Sequence, residues 1–434
     1  MRPSKLTLRL IAGWTVLGLA ASIWPMVQPV WLGAAALFVI VALVDFFTLP
    51  SRKRVSVERK VPGRFALGKQ APVTLILRHS LGRSLKITVH DGLPPDAVSE
   101  GLPWDGVLPS LEHVELTYDM HFTKRGAHIF SPAHLLTQSL LGIWQRLHRV
   151  GPPSETLCYP DYEPVVRFAL LAMANREEQM GIVKRRRSGA TLDFHQLREY
   201  QDGDILSRVD WKATARRQVL VSRDYEEQRN QSILLVPDCG RRMRAMDGEL
   251  SQFDHCLNAM LLISYIALRQ GDEVGVAGFG GVQRYLKPVK GAPAMPKLLN
   301  HLYNYETTTE PSDFIEAAER VMSVQKRRAL VILLTNLRTE DTSHLMKAVH
   351  LLQRRHLVLV ATLRESEIEA RTERPIANLG DALTYGALCH YDQERIRLLE
   401  SLRANRILTV DETARNLPIA LANRYLDLKA SGRI

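Results

Sequence analysis

Two apolar runs open the chain. Leu10 to Trp24 carries no charge and leads into a proline-containing turn, Trp24-Pro25-Met26-Val27-Gln28-Pro29; Val30 to Leu49 is apolar again except for Asp45. A membrane-crossing helix needs about 20 such residues, so the pattern predicts a hairpin of two transmembrane helices. Arg2, Lys5 and Arg9 precede the first run, and Arg52, Lys53 and Arg54 follow the second. Cationic flanks stay on the cytoplasmic side. Both ends of the hairpin are therefore expected inside, with Trp24 and Trp31 at the far interface. A cleaved signal peptide is the competing reading, with Ala20-Ala21-Ser22 as a poor cleavage region. Even then the second run would return the chain to the cytoplasm.

From Arg54 to Pro152 the pattern changes to short alternating runs, such as Val73-Thr74-Leu75-Ile76-Leu77 and Leu85-Lys86-Ile87-Thr88-Val89, separated by turns at Pro62-Gly63, Asp91-Gly92 and Pro94-Pro95. Strands at this spacing predict a small antiparallel β-sandwich. Tyr162 to Gln179 has a helical apolar face. From Gln231 onward the alternation is α/β. Strands are expected at Ser232–Val236, Glu273–Phe279, Gln283–Val289, Ala329–Leu334, Leu357–Thr362 and Ile407–Val410. Helices are expected at Phe253–Arg269, Pro296–Tyr303, Asp313–Val324, Thr342–Arg354, Asp392–Ala404 and Pro418–Lys429. The apolar strands imply a sheet covered on both faces, a doubly wound α/β domain. The resulting division is a transmembrane hairpin over 1–51, a cytoplasmic β-sandwich over 52–155, a linker helix and polar segment over 156–230, and the α/β domain over 231–434.

The bulk numbers narrow the partners. A chain of 434 residues has room for two or three domains, and its net charge of +11 admits anionic lipid, nucleic acid or an acidic protein. The positive charge is spread, with short clusters at Arg185–Arg187, Arg241–Arg244 and Lys326–Arg328 and no basic stripe interleaved with aromatics. Nucleic acid is therefore not expected, and a cytoplasmic face beside membrane lipid is. The four cysteines, Cys158, Cys239, Cys256 and Cys389, form no CxxC and no disulfide framework. A reducing compartment fits them.

Few motifs carry chemistry. There is no GxxxxGK[ST], HExxH, GxSxG or EF-hand pattern. Gly275 to Gly281 is glycine-rich, but a strand follows it, so it is read as a hairpin turn. The unusual stretch is Gly189 to Arg216, which mixes Asp193, Arg198, Glu199, Asp204, Arg208, Asp210, Lys212 and Arg216 with Phe194, Tyr200 and Trp211. Such a mixture implies a paired polar network. In one reading Arg198, Arg208 and Arg216 pair with Asp193, Asp204 and Asp210 through guanidinium–carboxylate forks. In another, Asp204, Asp210 and Lys212 form a nuclease-like D…DxK cluster: two carboxylates for a metal and a lysine for the transition state. Alternation along Asp210-Trp211-Lys212 would place Asp210 and Lys212 on one face of a strand.

Asp238 ends the first central strand, where sheets of this kind bind ligands. Its position resembles the start of the DxSxS motif of von Willebrand factor A domains, in which an Asp, two Ser and residues of two later loops hold Mg²⁺. Here Gly240 and Arg242 stand where the serines belong, Ser312-Asp313 resembles the second loop, and Asn336 replaces the Asp of the third. Mg²⁺ wants oxygen ligands, and Arg242 supplies a positive charge instead. No cofactor is therefore expected, and Asp238 and Arg242 are expected to form an ion pair where the metal would sit.

Gly189, Asp193-Phe194, Leu197-Arg198-Glu199-Tyr200, Gly203-Asp204, Arg208-Val209-Asp210-Trp211-Lys212 and Ala215-Arg216 resemble, in order and spacing, the signature of the bacterial "domain of unknown function 58" family. Arg125-Gly126 and Leu140-Leu141-Gly142 resemble its β-domain, with Leu140 for the usual Pro. The resemblance implies a bacterial inner-membrane protein with both termini and its soluble domains cytoplasmic, carrying a von Willebrand factor A-like domain. It further implies partnership with a MoxR-type AAA+ ATPase and no established enzymatic activity. The expected function is a protein-binding adaptor in complex assembly or envelope homeostasis, docking through Gly189–Arg216. The rivals are the metal-dependent hydrolase and a purely structural interdomain clamp.

Overall fold

A computed structural model describes residues 2–24, 26, 28–110, 112–173, 192–200, 209–227, 231–338, 340, 342–372 and 374–434. It divides into two compact units, Met1–Tyr159 and Pro160–Ile434.

The first unit begins with a short strand β1 (Arg2–Pro3) and two helices, α1 (Lys5–Ile23) and α2 (Gln28–Phe47). Both helices are long and apolar enough to cross a membrane. Ser4 caps α1, its hydroxyl accepting from the Leu6 and Thr7 amides at 3.1 and 3.2 Å. Trp14 and Trp31 stack between the helices with centroids 4.8 Å apart. Ten strands follow: β2 (Val55–Lys60), β3 (Arg64–Ala66), β4 (Ala71–His79), β5 (Leu85–Gly92), β6 (Ala97–Glu100), β7 (Trp104–Leu108), β8 (His113–Phe122), β9 (Gly126–Gln138), β10 (Trp144–Val150) and β11 (Ser154–Tyr159). Together with β1 they form a four-stranded sheet, β2-β4-β8-β6, and a seven-stranded sheet in which β9 is central and β1 pairs with β10. Pairing is antiparallel except between β11 and β3. Alternation along each strand sends Val73, Leu75 and Leu77 inward with Phe122 and Phe130. Phe122 meets Phe130 of the other sheet at 6.4 Å and Phe65 at 5.0 Å. The Arg59–Asp91 ion pair joins the sheets within this core, and Tyr118 donates to Asp91 at 2.6 Å.

The same unit clasps the end of α2. Asp45, 1% exposed, accepts from the amides of Leu141 at 2.8 Å and Ile143 at 3.2 Å and from the Ser139 hydroxyl. The start of α1 reaches the same turn, where Ser4 N–H and the Thr7 hydroxyl both donate to the Ile143 carbonyl.

The second unit opens with α3 (Glu163–Met173), a ladder of β12 (Leu192–Glu199) on β13 (Val221–Glu227), and between them α4 (Trp211–Arg217). The helix expected at Tyr162–Gln179 is present over α3; its remainder lies outside the described residues. The main sheet has six strands, β14 (Ser232–Pro237), β17 (Glu273–Ala277), β18 (Tyr285–Lys290), β19 (Leu330–Thr335), β20 (Leu357–Arg364) and β21 (Leu408–Thr413), in the order β18-β17-β14-β19-β20-β21. Only β17–β18 is antiparallel, a hairpin that turns through Gly280-Gly281. A small hairpin, β15 (Met246–Asp247) and β16 (Leu250–Ser251), precedes α5 (Gln252–Arg269). The other helices are α6 (Met295–Leu302), α7 (Phe314–Val324), α8 (Thr342–Gln353), α9 (Ser366–Thr372), α10 (Leu379–Ala404) and α11 (Leu417–Ala430).

Strand periodicity divides the core in two. Ile233 and Leu235 of β14 face α5, α6 and α11 on one side, while Leu234 and Val236 face α7, α8 and the end of α10 on the other. Burial on both faces explains why β14 and β19 read as continuous apolar runs. Two elements differ from expectation. α10 begins at Leu379 rather than Asp392, and α9 was not foreseen.

Candidate functional site

The carboxyl ends of β14 and β19 meet three loops around Asp238. The backbone fixes them first: Asp238 N–H donates to Leu334 O at 2.9 Å, Cys239 N–H to Phe279 O at 2.7 Å, Thr308 N–H to Cys239 O at 2.7 Å and Arg241 N–H to Glu310 O at 2.9 Å. Asp238 is fully buried. Its Oδ1 accepts from the Gly240 amide at 2.8 Å and the Ser312 hydroxyl at 2.5 Å, and its Oδ2 accepts from the Thr335 hydroxyl at 2.7 Å. Burial pushes this carboxyl above the usual carboxylate range, against the opposing pull of its three donors.

Gly240 and Gly280 close the site sterically. A Cβ on Gly240 would overlap the Ser312 hydroxyl and lie 3.0 Å from Asp238 Oδ1. Gly280, at φ +80°, approaches from the other side, where a Cβ would lie 2.5 Å from Gly240 N and 3.0 Å from Asp238 Oδ1. Mg²⁺ requires near-octahedral oxygen ligands at about 2.0–2.1 Å. Here backbone fills the space beside Oδ1, and both carboxylate oxygens already accept protein hydrogen bonds. These residues do not fit a metal of the von Willebrand factor A kind. Among the described residues no group of three or more His, Cys, Asp or Glu is placed to hold a metal ion.

The expected Asp238–Arg242 ion pair is not formed. Arg242 instead donates to Glu340 at 2.6 Å, while Asp238 is satisfied by hydroxyl and amide donors that reach it without bringing a second charge into the core. Asp313 caps α7, accepting from Ile315 N at 2.9 Å and Glu316 N at 3.0 Å. Asn336 belongs to a neighbouring cluster. Its Nδ2 donates to Gln252 Oε1 at 2.7 Å and to Glu365 Oε1 at 2.9 Å, and Gln252 and Arg338 also donate to that Glu365 oxygen, at 3.1 and 3.0 Å. Arg338 lies over the Tyr391 ring at 4.9 Å.

Thr335, Gln252, Arg338 and Glu365 were missed by sequence reasoning. Thr335 was legible: as the last residue of a buried strand, one place before Asn336, it points to the opposite face. Gln252 and Glu365 stand 84 and 29 residues from Asn336, with no periodic signal joining them.

Of the polar segment, Gly189, Gly203, Asp204 and Arg208 lie outside the described residues. Asp193 and Arg198 fall on β12, opposite Glu226 and Ser222. Glu199 is exposed and opposite Val221, and the half-buried Tyr200 donates its amide to Leu220 O at 2.8 Å. Asp210 and Lys212 do not share a strand face. Asp210 is the N-cap of α4, its Oδ1 accepting from the Lys212 and Ala213 amides at 3.0 Å each, and Lys212 lies within the helix. An Asp before a helix-forming run satisfies the free amides of the first turn, and that outweighs a three-residue alternation. Trp211, Lys212 and Arg216 are all exposed on α4, Trp211 by 66%.

Fold and site together define a mixed sheet-and-helix protein with two candidate membrane helices and a closed hydrogen-bonded centre at the carboxyl edge of its main sheet. A family model described as "Protein of unknown function DUF58" matches residues 196–381. The "Uncharacterized protein YeaD" of Bacillus subtilis (strain 168) is 25% identical over 293 residues, covering 64% of this chain and 69% of its own. Both matches support membership of the DUF58 family. Among solved structures, Escherichia coli alpha-2-macroglobulin from domain MG7 to the C-terminus matches 24% of this chain at 16% identity and a TM-score of 0.22. The match spans only 16% of that structure. The cupredoxin domain of amoB from Nitrosocaldus yellowstonii matches 25% of this chain and 89% of its own at 10% identity and a TM-score of 0.19. Likenesses of that size carry neither fold nor function to this chain.

Proposed function

We propose that this chain is a membrane-anchored protein-binding adaptor. In this reading α1 and α2 hold it in the bacterial inner membrane with both termini and both units cytoplasmic. The first unit is a β-sandwich, and the second is a von Willebrand factor A-like domain whose metal position has become a hydrogen-bonded lock. The sheet order, the flanking helices and the place of Asp238 support that likeness. Its partner is a MoxR-type AAA+ ATPase, as the family resemblance implies.

The observation that carries the reading is the exposed apolar corner beside the Asp210 cap. Trp211, Val219 and Leu220 are 66%, 49% and 44% exposed, and Lys212 and Arg216 stand exposed next to them. A rigid aromatic with apolar neighbours and a charged rim is the composition of a protein-binding hot spot. The cations favour an acidic partner surface. The corner lies within the region matched by the family model.

The test is affinity purification of the full chain from native membranes, with the AAA+ ATPase quantified by mass spectrometry. Truncating a hot-spot Trp costs about 2 kcal/mol or more, so Trp211→Ala is expected to lower recovery at least about tenfold without changing the melting temperature. Absence of the ATPase from the wild-type preparation removes the adaptor reading. A lower melting temperature with unchanged recovery would make the corner an internal clamp.

A further inference from the structure

An unassigned cavity of about 870 Å³ lies in the first unit, between the start of α1 and the seven-stranded sheet. Four cations line it, Arg2, Lys5, Arg83 and Lys86, against one carboxylate, Asp105. That carboxylate already accepts from the Thr88 hydroxyl at 2.5 Å. Arg83 is anchored by a 2.6 Å hydrogen bond to the Thr48 carbonyl, just past the end of α2. The side chains of Arg2, Lys5 and Lys86 have no acidic partner among the described residues.

The other wall is apolar and exposed. Leu6 and Leu8 come from the first turns of α1, and Leu140 and Leu141 from the turn that clasps α2. That turn is fixed in place: Leu140 N–H donates to the Thr48 hydroxyl at 3.0 Å and Leu141 N–H to Asp45 at 2.8 Å. The cations and the apolar lip therefore sit at one level, where both helices leave their apolar stretches. A soluble anion would neutralise the cations and leave four leucine side chains in water. A molecule with an anionic head and hydrocarbon tails satisfies both walls.

We propose that this cavity binds the head group of an anionic phospholipid, with its phosphate among Arg2, Lys5, Arg83 and Lys86 and its acyl chains beside Leu6, Leu8, Leu140 and Leu141. Basic pockets at the cytoplasmic ends of membrane helices recognise lipid in this way. The inference rests on α1 and α2 being membrane spans. It adds to that reading a defined site, distinct from the general attraction of a basic surface to a membrane.

The experiment equilibrates the full chain, in a neutral detergent, with equal amounts of phosphatidylglycerol and phosphatidylcholine and counts retained lipid by native mass spectrometry. The wild type is expected to retain one phosphatidylglycerol in at least about tenfold preference, and R2Q/K86Q to lose that preference. The control K53Q/R54Q removes two exposed cations that follow α2 but do not line the cavity, and it is expected to behave as wild type. No preference in the wild type overturns the proposal. So does equal loss in both double variants, which would mean diffuse surface charge, and so does displacement of the lipid by inorganic phosphate, which would mean a soluble-anion site. Alkaline carbonate extraction runs alongside. Release of the wild-type chain from membranes overturns the anchoring itself, whereas a retained chain without lipid preference overturns only the lipid site.

Discussion

A side chain at position 240 would meet Ser312 Oγ, Asp238 Oδ1 and the Glu310 carbonyl. The serine that a metal-binding motif would carry there cannot enter while the three loops hold their places. Glycine at this position lets the Ser312 hydroxyl and the Gly240 amide close directly on the carboxylate. Gly240→Ser is expected to destabilise the chain by about 1–3 kcal/mol, the usual cost of overpacking, and millimolar Mg²⁺ should recover none of it. Thermal unfolding of the full chain with and without Mg²⁺ measures both effects. A Mg²⁺-dependent rise in melting temperature in the variant would reveal that a serine at position 240 suffices to make a metal site there. At this scale the sequence located Asp238, Ser312 and Asn336 but not their contacts. The ion pair drawn between Asp238 and Arg242 came from charge alone. What decided the geometry was the close approach of two glycine backbones, which no spacing rule reports.

Asp45 is the one acid between Val30 and Leu49, near the end of an otherwise apolar helix. A carboxylate in a membrane helix costs about 2.5–3.5 kcal/mol at the centre, so one near the end is retained where something satisfies it. Here the Ser139 hydroxyl and the Leu141 and Ile143 amides do so. Asp45→Leu should leave membrane retention intact, because it lengthens the apolar run. It would also strand three donors, each costing about 1–3 kcal/mol if left unsatisfied in the protein. Limited proteolysis of the detergent-solubilised chain is expected to cut the 139–143 turn faster in the variant; an unchanged rate would mean that the clasp adds nothing. These donors lie 94 to 98 residues from Asp45, so the sequence showed the anomaly without its answer. Elements themselves were legible wherever burial leaves a continuous or periodic apolar signal. The strands β14, β19 and β20 and helices α5, α7 and α11 carry that signal. Only the last turns of α10 do, through Leu398, Leu399 and Leu402. Its first half exposes Leu379, Leu383 and Tyr385 to solvent, and without a buried stripe the helix seemed to begin at Asp392. The seven residues of α9 are too few to show a period.

Across the whole chain, burial sets how stability responds to acid. It pushes His148 in the first unit and His301 and His356 in the second below the ordinary histidine value of 6.5, His301 down to about 4. Unfolding returns each to about 6.5. Between the folded and unfolded values the unfolded chain binds more protons, so stability is fully present above about pH 6.5 and is lost as pH falls below it. For His301 the loss continues to about pH 4. Asp238 acts in the opposite sense. Its folded carboxyl is raised above 3.8, so it adds stability as pH falls toward that value. Among these groups the three histidines oppose the Asp238 carboxylate, and a chain already at +11 gains further self-repulsion as its histidines protonate. The melting temperature should therefore decline between about pH 7.5 and about pH 5. His301→Asn removes the group with the lowest value and should flatten that decline. It also loses the ring contact with Tyr305 at 5.3 Å, which lowers the melting temperature at both pH values, so the slope between them is the diagnostic quantity. An unchanged slope would clear His301 of any part in it, and a melting temperature that rises on acidification would show that Asp238 outweighs all three histidines.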